Sequence, residues 1–194
     1  MDLSLAVLLQ AVRLSIERPK DGARQILNLR LTVAEAAIAL ALMAVVSTLM
    51  AEVSNFVSPY PAEPMVAAAF ASPFGLAVVQ FGVMGCAALL MQGLGRWAGG
   101  KGDLAGALTL VGWLQAILLL LQLVQLFVIL VAPAFVGPVG LLGLALFGWL
   151  LTNFTAELHG FRSLVKVFLC ILAALFGFSF VLAIVLVFVF GVGV

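Results

Sequence analysis

Polar residues are so sparse along this chain that they act as punctuation, and the apolar stretches between them set the architecture. Five mostly apolar runs stand out, at about 32–53, 73–95, 104–131, 139–156 and 164–190. Each comes close to or exceeds the roughly 20 residues a helix needs to cross hydrocarbon. The first 31 residues follow another rhythm. Asp2, Gln10, Arg13 and Glu17 share one side of a helical wheel, while Leu3, Leu5, Val7, Leu8, Val12, Leu14 and Ile16 cover most of the remainder. That pattern predicts an amphipathic helix lying along a membrane surface. Pro19 ends it, and Lys20-Asp21-Gly22 reads as a turn. A second segment, Ala23 to Arg30, sets Ile26 and Leu27 opposite Arg24 and Asn28. It suits either packing against the chain's own loops or contact with the membrane.

Cap residues sharpen the boundaries. Thr32-Val33-Ala34-Glu35 fits a capping box, which gives Glu35 a local role at a helix start. A connection from Ser54 to Ser72 is broken by Pro59, Pro61 and Pro64, with Phe56 and Tyr60 placed for the interface. Ser72-Pro73 restarts a helix with serine as cap and proline at its first position. Asp103 caps the third run. Pro133 and Gly137-Pro138 predict a tight turn, and Glu157 to Ser163 a short polar loop.

Composition changes the solvent in this picture. Of 194 residues, 65% are hydrophobic and 9% charged, against about 45–50% and about 25% in soluble domains. A soluble fold of this size cannot bury so much apolar surface. The fold class expected is therefore all-α, a polytopic transmembrane bundle of five spans, with residues 1–31 as a surface segment and 32–194 as the membrane domain. All nine basic residues, Arg13, Arg18, Lys20, Arg24, Arg30, Arg96, Lys101, Arg162 and Lys166, fall in the N-terminal segment or in the second-to-third and fourth-to-fifth connections. An N-terminus in the cytoplasm and a C-terminus on the outer side place all of them inside. The start of the chain does not read as a signal peptide, because Asp2 precedes the apolar run and Arg13 interrupts it.

Candidate chemistry is thin. One histidine excludes His-rich metal sites, and the spacing of Glu157 and His159 sends them to different sides of a helix, as a solvated pair at headgroup level. Gly95 to Gly102 matches a phosphate loop up to Lys101, then has Gly102 where a magnesium-binding Ser or Thr is required, after a membrane helix instead of a strand. A flexible interfacial loop carrying Trp97 explains it better. No catalytic residue, metal or cofactor is expected, and no nucleic acid. Cys86 and Cys170 sit in apolar runs as packing residues.

Three constellations remain. Arg13, Arg18, Lys20, Arg24, Arg96 and Lys101 are candidates for contact with anionic lipid or a partner. Gly75, Gly82, Cys86 and Gly93 keep nearly one face of the second span, where small residues let helix backbones approach. Gln115, Gln122 and Gln125 form a polar seam in the third span, facing other helices, with Thr152, Asn153 and Thr155 as candidate partners.

Three stretches resemble the bacterial form of the Yip (Ypt/Rab-interacting protein) family. They are the Glu17-Arg18-Pro19 break, the Gly99-Gly100-Lys101-Gly102-Asp103-Leu104 approach to the third span continuing through Ala107-Leu108 to Trp113, and Glu157-Leu158-His159-Gly160-Phe161. The resemblance implies a five-span fold with a cytoplasmic N-terminus. Eukaryotic members are implicated in vesicle trafficking through small GTPases, but the long polar N-terminal region typical of them has no counterpart here, so Rab binding is not carried over. Six Arg against three Lys suit a high-GC bacterium and its inner membrane. The expected role is a non-enzymatic scaffold or accessory subunit, packing against a membrane complex or another copy of itself and organising lipids. The alternative is a transporter of a small solute or lipid through the Gln seam.

Overall fold

The computed structural model describes residues 5–57 and 72–190, and the described residues form helices and short connections with no strand. Seven α-helices follow in order: α1 (Leu5–Glu17), α2 (Pro19–Leu27), α3 (Val33–Val57), α4 (Pro73–Trp97), α5 (Leu104–Val131), α6 (Val136–His159) and α7 (Leu164–Phe190). A single 3₁₀ turn, Pro133–Phe135, joins α5 to α6. Asp2, Leu3, Pro59, Tyr60, Pro61, Glu63 and Pro64 lie outside the described residues.

Several caps form as expected. Glu35 accepts from the Thr32 N–H at 2.8 Å, and the Thr32 hydroxyl accepts from the Glu35 N–H at 3.3 Å. Ser72 caps α4 through the Gly75 N–H, with Pro73 behind it, and Asp103 caps α5 through the Gly106 N–H at 2.9 Å. Several boundaries move. Pro19 opens α2 instead of isolating a turn, because a first helical position needs no N–H. Lys20, Asp21 and Gly22 are therefore helical. Helix α3 continues through Ser54 to Val57, past the expected end at 53. Helix α6 runs from Val136 to His159 instead of 139–156. Pro138 fits within its first turn, where N–H groups have no intrahelical acceptor, and Gly160 (φ 72°) ends it in the left-handed region.

Helix α5 is the axis of the bundle. Its first half is buried almost without interruption, from Gly106 to Gly112 and again at Leu114, Ile117 and Leu119. Helix α3 lays Ala36, Leu40, Ala44, Ser47 and Thr48 inward at helical spacing, and Leu40 passes over Gly112, where a Cβ would sit 3.7 Å from it. Helix α4 contributes Met84, Ala88, Met91 and Gly95, and α6 contributes Leu150 and Phe154. Lipid is as apolar as leucine, so the cohesion comes from close packing at these small residues, not from expelling water.

Outside this core the helices stay apolar, with Ile38, Leu42, Phe74, Leu141, Leu142 and Phe176 all exposed. Four helices, Val33–Val57, Pro73–Trp97, Leu104–Val131 and the stretch Pro133–His159, are long and apolar enough to cross a membrane. Helix α7 adds a further apolar stretch at Leu164–Gly177. The chain is an integral membrane protein.

Candidate functional site

The side chains with the most built environment gather where α4 ends, α5 begins and α6 ends. His159 stands at their centre and is only 3% exposed. Its Nδ1 accepts the Gly102 N–H at 3.1 Å, and its Nε2 lies 3.0 Å from the Met91 carbonyl oxygen. With Nδ1 accepting, the ring proton is on Nε2, which donates to Met91. Phe161 stacks on the ring at 5.5 Å between centroids.

Glycine makes room for this imidazole. A Cβ built on Gly95 or Gly100 would run into the ring, and one on Gly102 would lie 2.6 Å from it. Gly99 (φ 87°) turns the chain between them. The solvated Glu157–His159 pair expected from the sequence is therefore corrected. His159 lies in the last turn of a longer α6, which carries it inward. Spacing does send the two residues to different sides, as expected. Both ring nitrogens are engaged, so this histidine fastens three elements together and has no free nitrogen to act as a base. Among the described residues, no three of His, Cys, Asp and Glu gather in a metal-holding arrangement. The loop resembling a phosphate loop is folded around an imidazole, which takes the Gly102 N–H.

Two further contacts dock the N-terminal hairpin onto this junction. Arg24 on α2 reaches Glu157 on α6, with its Nε and Nη2 both 2.9 Å from the carboxylate Oε1, and Asp21 lies 3.7 Å from the same guanidinium. The indole N–H of Trp113 on α5 donates to the Ser15 hydroxyl on α1 at 2.9 Å, and that hydroxyl donates to the Ala11 carbonyl. Gly22 lets α2 close against Ser15. The open question over the second segment resolves to the chain's own helices, since α2 lies on α5 and α6.

The expected contact cations divide. Arg24 is committed to Glu157. Arg13 pairs with Glu17 at 2.7 Å on the same helix face, which raises its pKa further above the ordinary arginine value. Arg18, Arg96 and Lys101 are exposed and Lys20 is half-buried, none in an ion pair among the described residues. Trp97, next to Arg96 in the chain, is 89% exposed.

The small-residue face of α4 is not the face that packs within the chain. A Cβ at Gly82 or Gly93 would meet open space, Cys86 is exposed, and Gly75 touches only its own cap Ser72. The face that packs lies around the helix, at Met84, Ala88, Met91 and Gly95. Cys170 is exposed as well. In the seam, Gln115, Gln122 and Gln125 are half-buried, and Gln125 lies near Gly143 of α6. The proposed partners do not reach them. Thr152, Asn153 and Thr155 each bond the carbonyl four residues earlier on α6, at 2.7–2.8 Å, satisfying a polar group locally without a neighbour.

Sequence reasoning missed the Ser15–Trp113 bond and the imidazole cage. A signal was present, since the stretches carrying the family resemblance are those that meet here. No curated protein and no solved structure matches the chain. The family model for the Yip1 domain matches residues 14–190, a range that takes in the end of α1, the glycine loop, Trp113 and His159, and the chain belongs to that family.

Proposed function

We propose that the chain is a five-span membrane scaffold or accessory subunit with its N-terminus in the cytoplasm, acting by lateral packing and without catalysis. The observation that carries this reading is the junction itself. Its polar groups are spent on one another, His159 on Gly102 and Met91, Arg24 on Glu157, Trp113 on Ser15. What remains is a rigid hairpin held at one end of a bundle whose flanks are apolar. The unfilled face of Gly82, Cys86 and Gly93 is offered as the surface for another membrane helix. Helix α7, 27 residues long, supplies the fifth span, and the nine basic residues set the orientation. A bacterial inner membrane suits this reading.

Transport through the Gln seam is the second reading, supported by three half-buried amides with no hydrogen-bond partner among the described residues. Affinity purification from native membrane into nanodiscs, followed by mass spectrometry, separates the two. A stoichiometric membrane partner or a homo-oligomer is expected. A monomer carrying only lipid, together with solute flux abolished by Gln115→Leu/Gln122→Leu, would replace the scaffold reading with transport.

A further inference from the structure

A cavity of about 380 Å³ opens beside the junction, where α2 turns into α3 and the glycine loop turns into α5. Its walls are of two kinds. Leu27, Leu31 and Leu158 are apolar, and Arg30, Lys101 and Asp103 are charged. The volume falls within the range of small-molecule sites, and the position is the level at which α3 and α5 begin to be apolar.

We propose that this cavity binds a phosphodiester monoanion of the kind carried by an acidic phospholipid headgroup. Four observations carry the assignment. First, Arg30 and Lys101 are exposed cations in no ion pair among the described residues, unlike Arg24 and Arg13. Second, Asp103 spends one oxygen on the Gly106 N–H, and the three charged side chains sum to one positive charge, which suits a monoanion better than a dianionic phosphomonoester. Third, the leucines give glycerol or the first acyl carbons an apolar wall at the membrane boundary.

The fourth observation concerns backbone. Arg30 lies at φ 49°, the one non-glycine residue in the left-handed region among those described. Its N–H bonds the Leu27 carbonyl at 3.0 Å, closing the end of α2. Glycine is the residue that adopts this conformation without cost, and here an arginine stands on the rim of a cavity. The binding mode differs from a phosphate loop, because the Gly102 N–H is taken by His159 and the Gly106 N–H by Asp103, which leaves the cationic side chains to meet the ligand. The inference goes beyond the lateral-packing reading and does not rest on it.

The left-handed backbone also supplies a clean test. Arg30→Gly removes the guanidinium while easing the backbone, so the unliganded protein should melt no lower than the parent. The full chain in neutral detergent is titrated with dihexanoyl phosphatidylglycerol and, separately, with its deacylated headgroup, glycerophosphoglycerol, following the thermal midpoint. A saturable upward shift is expected with the lipid. Arg30→Gly and Lys101→Gln should each weaken it roughly tenfold or more, the scale of one charge-assisted hydrogen bond. Arg162→Gln, which removes an exposed cation outside the cavity, should leave it unchanged. A headgroup matching the lipid identifies a free phosphodiester as sufficient, and an inactive headgroup identifies the lipid as the ligand. The proposal is overturned if neither probe gives a saturable shift, if both cavity variants retain it, or if Arg162→Gln loses as much.

Discussion

At the end of the bundle where α4 stops and α5 starts, the buried His159 and Ser15 are bonded to groups on other elements, and the fit is tight enough that Gly95 and Gly100 have no room for a methyl group beside His159. At the other end of the same helices the fit is looser. Phe56 and Phe74 stand exposed, and the buried Thr48 hydroxyl and one Glu52 oxygen find no hydrogen-bond partner among the described residues. An unpaired buried polar atom costs about 1–3 kcal/mol. The contrast separates two ways of holding a membrane helix. One end is fastened by directional bonds and shape, which allow one register. The opposite end rests on apolar contact that neighbouring lipid replaces at little cost.

Stability should therefore be concentrated at the fastened end. His159→Ala leaves the Gly102 N–H and the Met91 carbonyl unpaired around a void, and should lower stability by about 3 kcal/mol. Gly95→Ala attacks the same site from the other side by overfilling it, at about 1–3 kcal/mol. Both are read as denaturant or thermal unfolding in detergent. A melt as high as the parent's in both variants would mean that the cage is not a fastening. Trp113→Phe keeps the ring and removes the indole N–H, so about 1 kcal/mol should be lost with Ser15 still in place. Limited proteolysis of the N-terminal hairpin should speed up accordingly.

Arg24→Gln and Glu157→Gln are expected to cost less, about 1 kcal/mol or below, because the arginine is largely exposed while the carboxylate is 18% exposed. A double-mutant cycle should show coupling that shrinks as salt is raised, and salt-independent coupling would point to packing instead. The smallest effect is assigned to Gly82→Leu, whose side chain enters open space. The monomer melt should hold, and any change should appear in oligomeric state or partner capture. A large drop in the monomer melt would instead place Gly82 in a packed interface.

The comparison also explains which parts of the junction were legible beforehand. Capping residues act on N–H groups three or four positions away, so Thr32, Ser72 and Asp103 announced their helices locally. The run of small residues Gly82, Cys86 and Gly93 was equally visible, but it did not say that no described helix of the same chain fills that face. Periodicity reports that a face is small, and a neighbour's position decides whether that face is used. Thr152, Asn153 and Thr155 show the same limit from the polar side, because a residue able to bond across helices can also bond its own.

By itself the sequence determined the solvent, the helical class and the placement of the basic residues, since each depends on composition and on spacing within one segment. The apolar lengths demanded lipid, and lipid demanded helices that satisfy their own backbone. Only the tertiary structure decided that Gly95, Gly100 and Gly102 surround an imidazole 57 residues beyond the last of them, that Arg24 meets Glu157 133 residues away, and that Ser15 is buried where leucines of the same helix are not. Those outcomes depend on how separate helices cross. Crossing geometry is fixed by the fit of many side chains at once, which no single segment of the chain encodes.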